Sequence, residues 1–346
     1  MREKCSARVT VKNMTPEKQQ PRRVTAGDVA ARAGVSNSTV SKALSGNGNV
    51  RFETRQHILE VARELGFQTR QDRTDTIGVI TSDRFGRLTS PVLLGAIEAL
   101  AEREVALQVY DGRGDPIREQ HFIDSLIRRH VDGILVTGSG EFSRDPIRKE
   151  VPIPIVYAMA WSRAATDASV VPDDYTGAKL AAEHVLATGR RKIVFISGTA
   201  HDDASRTRLS AVEETLASQG LKLVAEPLFG SWSEKWGRQA INQLLNSKVD
   251  FDGVVCGSDQ VARGVTDGLR ENEVSVPGSV GVIGFDNWDV MVEASRPPLS
   301  TIDMNLNQVG DVAARLLLQA IDEGVLEPGI RYVDCRMIPR ESTAIV

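Results

Sequence analysis

The fold of the N-terminal part is decided by the stretch Val24-Thr-Ala-Gly-Asp-Val-Ala-Ala-Arg-Ala-Gly-Val-Ser-Asn-Ser-Thr-Val-Ser-Lys-Ala-Leu-Ser45. Residues 28–33 predict a short helix that ends at Gly34, since glycine is favoured just after a helix C-terminus. Ser36 is a good N-cap for a second helix over residues 37–44. Two short helices joined by a glycine-containing turn are typical of the helix-turn-helix, whose second helix enters the DNA major groove.

Polar side chains of this stretch and its surroundings suit two kinds of DNA contact. Groups that can reach base edges lie on the opening turns of the second helix, at Asn37, Ser38, Ser41 and Lys42. Short hydroxyl and amide groups near helix starts suit phosphates, namely Thr25, Ser36, Thr39, Asn49 and Thr54. The small core is then predicted at Ala33, Val35, Val40 and Leu44. Any three-helix bundle with serine caps shows the same periodicity, so the pattern alone leaves that alternative open.

The flanking sequence sets the domain boundaries. Phe52 to Leu65 predicts a third helix with an apolar stripe. Residues 1–22 carry almost no apolar periodicity, which predicts a disordered basic arm. The predicted domains are this arm (1–22), the helix-turn-helix domain (23–68), a short linker (69–75) and a large domain (76–346).

Charge is divided unevenly along the chain of 346 residues. The net charge is −4 overall, yet residues 1–74 hold 14 Lys and Arg against 7 Asp and Glu. The remaining residues are therefore net negative, at −11. A small basic segment before a large acidic body is compatible with nucleic-acid binding, and charge alone also fits a merely solvated segment.

From Thr76 onward, short apolar runs alternate with helical stretches. Strands are predicted at 76–81, 105–110, 131–137, 153–157, 192–197, 253–256 and 279–285. Helices are predicted at 91–103, 175–187, 208–219, 235–245 and 260–272, with a further helical stretch between the second and third strands. This alternation predicts an α/β fold with doubly wound parallel sheets, in two lobes because the segment is long for one sheet.

Ligands of such sheets bind beyond the carboxyl ends of the strands. The loops there hold two kinds of group that suit a sugar, carboxylates or an arginine for hydroxyls and an indole for a C–H face. These candidates are Asp83, Asp174, Arg208, Trp232 and Asp286. Each has a structural alternative: the aspartates can cap turns or strand ends, and the tryptophan can belong to a core or an interface.

Several classes of protein find little support in the sequence. Three widely spaced cysteines predict neither a disulfide framework nor a zinc cluster, and they favour a reducing compartment. The N-terminus shows no signal peptide, and no apolar run is long enough to cross a bilayer. Dinucleotide, Walker A and nucleophile-elbow motifs are not found. The cluster His201-Asp202-Asp203 is expected to be solvated rather than to bind a metal. We therefore expect a protein that is not an enzyme and that holds no metal or cofactor.

The N-terminal motifs resemble those of the LacI/GalR family of bacterial transcriptional repressors. The resemblance rests on Asp28-Val-Ala-x-x-Ala33-Gly-Val-Ser36, Thr39-Val-Ser-Lys-x-Leu44 and Glu64-Leu-Gly-Phe67, and it extends over residues 24–346. It implies a helix-turn-helix headpiece and a two-lobed, periplasmic-binding-protein-like body. It also implies a homodimer on a near-palindromic operator and a small effector, usually a sugar or sugar phosphate.

The resemblance also assigns residues. It implies base contacts by Asn37, Ser38 and Lys42, and effector binding by Arg208, which stands in an Arg206-x-Arg208-Leu motif. Ser258 stands at a strand end where the family usually has Asn. Asp286 is the last residue of Val282-Ile-Gly-Phe-Asp, which matches another strand end of the family. The first loop lacks the frequent Asn-Pro-Phe, which leaves Phe85, Leu88 and Thr89 as its candidates for the cleft.

Two departures from the family stand out. Only Gln-Thr-Arg-Gln-Asp-Arg-Thr-Asp-Thr separates Phe67 from Ile77, so the apolar wedge of the family's hinge helix is missing and we expect weak minor-groove contact. Arg51 stands where the family often has a capping Ser, and we expect it to contact a phosphate instead.

These features predict a cytoplasmic, sequence-specific DNA-binding regulator, a repressor that forms a homodimer and responds to a sugar or sugar derivative. The predicted dimer surfaces are the apolar faces of residues 91–103 and 260–272. A sugar-binding or sugar-processing protein with a fused helix-turn-helix remains the alternative, and a regulator without an effector is another.

Overall fold

A computed structural model describes residues 24–44, 50–65, 74–83, 86–138, 143–147 and 151–345. The chain divides into two compact units, residues 1–71 and 72–346. The predicted basic arm, Asn49, Phe85 and the linker up to residue 73 lie outside the described residues. Among the described helices, none is long and apolar enough to cross a membrane.

The first unit contains the three predicted helices. The first begins at a capping box, in which Thr25 Oγ1 accepts from the Asp28 amide and the Asp28 carboxylate accepts from the Thr25 amide at 2.7 Å. It ends at Gly34, whose φ of +67° is the left-handed conformation that closes a helix. The bounds are α1 (Ala26–Ala33), α2 (Asn37–Leu44) and α3 (Phe52–Glu64).

One small apolar core holds these helices together. Its buried members come from all three: Val29, Ala30, Val40, Ala43, Ile58, Val61 and Ala62. Of the predicted core residues, Val40 is fully buried, whereas Ala33, Val35 and Leu44 are partly buried and pack against the cluster. The first and third helices thus supply more of the core than the sequence predicts.

The first lobe of the second unit is built on an all-parallel sheet with strand order β13-β7-β5-β3-β1-β2. Its strands are β1 (Thr76–Thr81), β2 (Ala106–Asp111), β3 (Gly133–Thr137), β5 (Ile155–Ala158), β7 (Ala168–Pro172) and β13 (Gly329–Val333). A small separate sheet joins β4 (Ser143–Arg144) and β6 (Trp161–Ser162). The helices are α4 (Thr89–Ala101), α5 (Pro116–Arg128) and α11 (Leu306–Glu323). Helices α4 and α11 touch backbone to backbone, because a Cβ on Gly95 would lie 1.8 Å from the Asn307 carbonyl oxygen.

The second lobe repeats this strand order as β14-β12-β11-β10-β8-β9, and among its described strands β14 alone is antiparallel to its neighbour. Its strands are β8 (Ile193–Ser197), β9 (Leu228–Phe229), β10 (Gly253–Cys256), β11 (Gly281–Asp286), β12 (Ser300–Asp303) and β14 (Arg336–Ile338). Its helices are α6 (Asp174–Ala187), α7 (Asp203–Ser218), α8 (Glu234–Asn246), α9 (Asp259–Glu271) and α10 (Asp289–Val292), followed by a 3-10 turn (Glu341–Thr343).

The chain crosses between the lobes three times, from β7 to α6, from β12 to α11 and from β13 to β14. The first and third crossings are joined where the Asp173 amide donates to the Val333 carbonyl at 2.8 Å. The carboxyl ends of both parallel sheets therefore face one another across a cleft next to these crossings. This arrangement is the predicted two-lobed α/β body.

One predicted dimer surface is wrong. The apolar face of α9 is buried inside its own lobe, where Val261, Val265 and Leu269 have no exposed surface. That face packs against α8, so closely that a Cβ on Gly264 would lie 2.0 Å from the Glu234 carbonyl oxygen. Helix α4 differs, since Leu94 is 56% exposed and Ile97 is 49% exposed.

Candidate functional site

Helix α2 separates apolar from polar side chains. Val40 and Ala43 are buried in the core of the first unit. The four residues predicted to reach base edges are all exposed: Asn37, Ser38, Ser41 and Lys42. An amide, two hydroxyls and an ammonium on one accessible surface can donate to and accept from base edges and phosphates.

The residues predicted to contact phosphates have local partners. Ser36 Oγ accepts from the Thr39 amide at 3.2 Å and lies 2.7 Å from Thr39 Oγ1, which caps α2. The Thr25 hydroxyl belongs to the capping box of α1. Arg51 is exposed and Thr54 is half-buried, both at the start of α3. Helix capping therefore accounts for Thr25 and Ser36, and their phosphate contacts stay a prediction.

A cavity of about 1410 Å³ lies between the lobes of the second unit. Both lobes line this interlobe cleft, and six residues predicted for it lie there: Asp83, Leu88, Arg208, Trp232, Ser258 and Asp286. Asp174 is not among the lining residues, and Phe85 lies outside the described residues. Cleft residues that the sequence does not predict include Ser82, Arg87, Glu119, Arg144 and Trp288.

Arg208 is the buried centre of the second-lobe wall. Helix α7 begins five residues before its predicted start, so Arg208 lies in its second turn. Its Nη1 donates to the Gly257 carbonyl at 2.6 Å, and its guanidinium stacks 3.7 Å from the centre of the Phe285 ring. These contacts fix the plane of the guanidinium at the end of β10.

Asp174 lies behind Arg208 and orients it. Its Oδ1 accepts from Arg208 Nη2 at 2.7 Å and from Nε at 3.0 Å. Both side chains are only 5% exposed, and Asp174 Oδ2 has no hydrogen-bond partner among the described residues. Because Asp174 begins α6 directly after a lobe crossing, this ion pair ties the crossing to the cleft wall.

An aromatic surface adjoins this pair. Trp232 Nε1 donates to Asp202 Oδ2 at 2.6 Å, which fixes the edge of the indole. Its ring packs on Gly198, where a Cβ would lie 2.1 Å from the ring atoms. Trp232 can therefore offer a fixed apolar face to a ligand.

Ser258 Oγ caps α9 by accepting from the Val261 amide at 3.3 Å.

The loop cluster His201-Asp202-Asp203 serves the fold. Asp202 holds Trp232, while Asp203 pairs with Arg206 and accepts from the Ser143 amide at 3.0 Å. Among the described residues, no three His, Cys, Asp or Glu side chains are grouped to hold a metal ion.

Two buried carboxylates meet at the end of β11. Asp259 has no exposed surface, and its oxygens accept from Thr301 Oγ1 at 2.6 Å and from the Trp288 amide at 2.8 Å. Burial, and then the charge of Asp286, raises the pKa of Asp259 well above its usual value. Burial also raises the pKa of Asp286, while Arg87 and Arg208 oppose that rise. Asp286 has a φ of +118°, a strained conformation for a residue other than glycine.

Arg87 of the first lobe reaches Asp286 of the second. Arg87 Nη1 lies 2.7 Å from Asp286 Oδ2, and its guanidinium lies 5.2 Å from the centre of the Trp288 ring. The Arg87 side chain is 19% exposed and that of Asp286 is 6% exposed. The contact spans the cleft.

The first-lobe wall combines a capping residue with an internal ion pair. Asp83 Oδ2 accepts from the Leu88 and Thr89 amides at 2.8 and 3.0 Å, so Asp83 also stabilises the start of α4. Arg144 Nη2 lies 2.5 Å from the buried Glu119 Oε2. Trp288 could have been suspected from its place two positions after Asp286, whereas Glu119 lies within a regular amphipathic helix and carries no local signal.

Comparison with known proteins matches both units. Residues 25–70 match the profile of bacterial regulatory proteins, lacI family, and residues 182–343 match a periplasmic binding protein-like domain. The first match contains α1, α2 and α3, and the second contains most of the second lobe together with α11 and β13 of the first.

Two relatives align over almost their whole length. Catabolite control protein A of Priestia megaterium is 28% identical over 334 residues, which cover 92% of this chain and 99% of that protein. The HTH-type transcriptional repressor CytR of Escherichia coli (strain K12) is 28% identical over 337 residues, which cover 94% and 98%. Both alignments therefore include the helical unit and the body.

Solved structures share the fold. The transcriptional regulator CelR-cellobiose complex matches with a TM-score of 0.68 and 29% identity over 92% of this chain and 100% of that one. The Lac repressor dimer bound to operator and the anti-inducer ONPF matches with a TM-score of 0.68 and 22% identity over 93% and 99%. At 22% identity, the similarity to the Lac repressor dimer shows a shared fold.

Proposed function

We infer that this chain, which belongs to the LacI family of bacterial transcriptional regulators, represses transcription by binding an operator as a homodimer and responds to a neutral saccharide. The family assignment confirms the regulator and α/β fold predicted from the sequence. Because its target is chromosomal DNA, we place the protein in the cytoplasm.

The DNA-binding surface proposed here is the exposed side of α2. Its polar groups project away from the buried Val40 and Ala43, as a recognition helix requires. Asn37, Ser38 and Lys42 are proposed to read bases. Exposed Arg51 is proposed to contact a phosphate.

The observation that carries the choice of effector is the pairing of charges in the cleft. Each arginine that lines the cleft within the described part of the chain lies within ion-pair distance of a carboxylate: Arg87 with Asp286, Arg113 with Asp111, Arg144 with Glu119 and Arg208 with Asp174. A phosphate would have to compete with one of these carboxylates for its arginine, whereas a neutral ligand brings no charge that competes for the guanidinium groups. The cleft therefore favours an uncharged sugar over a sugar phosphate.

Two further features suit a polyhydroxylated ligand. Ser82 Oγ is buried at the cleft wall without a hydrogen-bond partner among the described residues. A ligand hydroxyl can supply the missing hydrogen bond. Trp232 offers a fixed indole face for sugar C–H groups. The neighbour CelR was solved with cellobiose, which supports a saccharide of that size here.

A paired ligand screen tests this proposal. We expect cellobiose or another neutral saccharide to raise the melting temperature of the purified protein, because a ligand of the native state stabilises it by mass action. Glucose and glucose 6-phosphate form a matched pair that isolates the phosphate. A larger stabilisation by the phosphorylated sugar would contradict a neutral effector.

An electrophoretic mobility shift on the protein's own promoter region tests the regulator itself. We expect a sequence-selective, salt-dependent complex that a stabilising saccharide strengthens or releases. Saccharide binding with no selective DNA complex would instead identify a sugar-binding protein with a fused helix-turn-helix.

A further inference from the structure

Of the four described arginines that line the cleft, one pairs across the lobes. Arg208 and Asp174 both belong to the second lobe, and the Arg113 and Arg144 pairs stay within the first. Arg87 follows β1 of the first lobe, whereas Asp286 ends β11 of the second. Opening the cleft therefore leaves the other three pairs intact and separates Arg87 from Asp286.

The groups that hold Arg87 are those a sugar would use. A carboxylate accepts hydrogen bonds from ligand hydroxyls, and an indole stacks against an apolar sugar face. Arg87 already contacts one group of each kind, through an ion pair of 2.7 Å with the Asp286 carboxylate and a cation–π contact of 5.2 Å with the Trp288 indole. Its guanidinium occupies part of the cleft that an effector has to enter.

Asp286 needs such a partner when no ligand is bound. Its side chain is 6% exposed, and burial, which penalises the charged carboxylate, raises its pKa. A buried carboxylate without a counter-charge is strongly destabilising. The charge of Arg208 also lowers the pKa of Asp286, but Asp174 and the Gly257 carbonyl already bind the Arg208 guanidinium.

We propose that Arg87 is an intramolecular ligand of the second lobe, which holds Asp286 and Trp288 until an effector displaces it. This inference rests on the proposed effector cleft. Arg87 then determines specificity, because only a ligand that supplies donors to Asp286 and an apolar face to Trp288 replaces what the guanidinium gives. It also lowers the apparent affinity for every effector, since the binding-competent state must first lose this contact.

The first experiment needs no effector. Hydrogen exchange of the full-length protein is compared for the wild type, Arg87→Met and the control Arg113→Met, which removes a cleft arginine whose pair stays within one lobe. We expect faster exchange over residues 286–292 in Arg87→Met alone. Equal exchange in all three proteins would overturn the proposal.

Chemical rescue tests the same contact without relying on one variant's stability. In Arg87→Ala, free guanidinium chloride at millimolar concentration should produce a saturable change in tryptophan fluorescence. Sodium chloride at equal ionic strength should not produce it, and neither should guanidinium with Arg87→Ala/Asp286→Asn. An equal guanidinium response in the wild type or in Arg87→Ala/Asp286→Asn would contradict the proposed contact between Arg87 and Asp286.

Calorimetry with cellobiose then measures the competition. We expect Arg87→Met to bind about tenfold more tightly than the wild type, because the competing contact is gone. Unchanged or weaker binding would show that Arg87 does not compete. If cellobiose binds none of the proteins while the exchange and rescue results hold, cellobiose is not the effector and the Arg87 contact stands on its own evidence.

Discussion

The exposed side of α2 and the interlobe cleft use polar side chains in opposite ways. Asn37, Ser38 and Lys42 face solvent. In the wall of the cleft, Arg208 and Asp174 behind it are each 5% exposed and bound to one another. Exposed charges act at long range and are screened by salt, whereas buried pairs act through fixed geometry. One unit is thus suited to attract a charged polymer, and the other to select a small molecule by shape.

Salt should separate the two regions most strongly. Operator affinity is expected to fall about a thousandfold or more between ~50 and ~200 mM salt, as for a protein with roughly six phosphate contacts. Saccharide affinity is expected to change less than about twofold, because the ligand is uncharged and the buried ion pairs of the cleft are screened little by salt. Fluorescence anisotropy and calorimetry measure the two, and parallel salt slopes would remove the distinction.

Within the cleft, Arg208→Ala should have the next largest effect. It leaves Asp174 buried without its partner, so the free energy of unfolding should fall by about 3–5 kcal/mol and the effector response should be lost. The control is Arg206→Ala on the same helix, an exposed pair worth roughly 0–1 kcal/mol. Urea denaturation and a reporter assay measure these effects. Preserved induction in Arg208→Ala would contradict its role.

On the DNA side, Lys42→Ala should weaken operator binding by about 1–3 kcal/mol and leave the fold intact, because the side chain is exposed. Arg32→Ala removes another exposed charge, from α1, and serves as the control. Thermal unfolding should not move for either protein. A Lys42→Ala protein with a much lower melting temperature and unchanged DNA affinity would indicate a structural residue instead.

The smallest effect expected is on pH dependence. The folded body raises the pKa of Asp259 and Asp286, so it holds protons at pH values where the unfolded chain has lost them. These groups therefore lower the free energy of unfolding as pH rises above their usual pKa of about 4. Urea denaturation between about pH 5 and pH 7 should show a shallower fall in Asp259→Asn. An unchanged slope would mean that Asp259 does not titrate differently on folding.

Local signals made the helical unit and most strands predictable. The residues Thr25, Gly34 and Ser36 mark helix ends through contacts within a few positions, and the structure uses all three in that way. The strands of a parallel sheet are buried on both faces, which makes runs such as 76–81 stand out as continuous apolar segments. Arg208, Trp232 and Asp286 could be proposed because strand ends converge.

Pairings between distant residues could not be predicted. Arg87 and Asp286 are 199 positions apart, and Asp174 and Arg208 are 34 apart, so no local pattern joins them. The amphipathic pattern of α9 correctly indicated a buried face and could not show that α8 covers it rather than a second subunit. Helix α11 and its return to the first lobe likewise depend on the order of the strands, which sequence spacing does not reveal.

The three crossings between the lobes have a consequence for synthesis on the ribosome. Folding during translation begins with the N-terminal segments. Helices α1 to α3 are complete once residue 64 has emerged, whereas the first lobe begins at Thr76 and receives its last strand only at Gly329–Val333. A polypeptide cut short by a late stop codon would therefore keep its DNA-reading helices and lack a finished body. Such fragments would keep the DNA-binding helices without a body that can bind an effector, and we expect them to be degraded quickly.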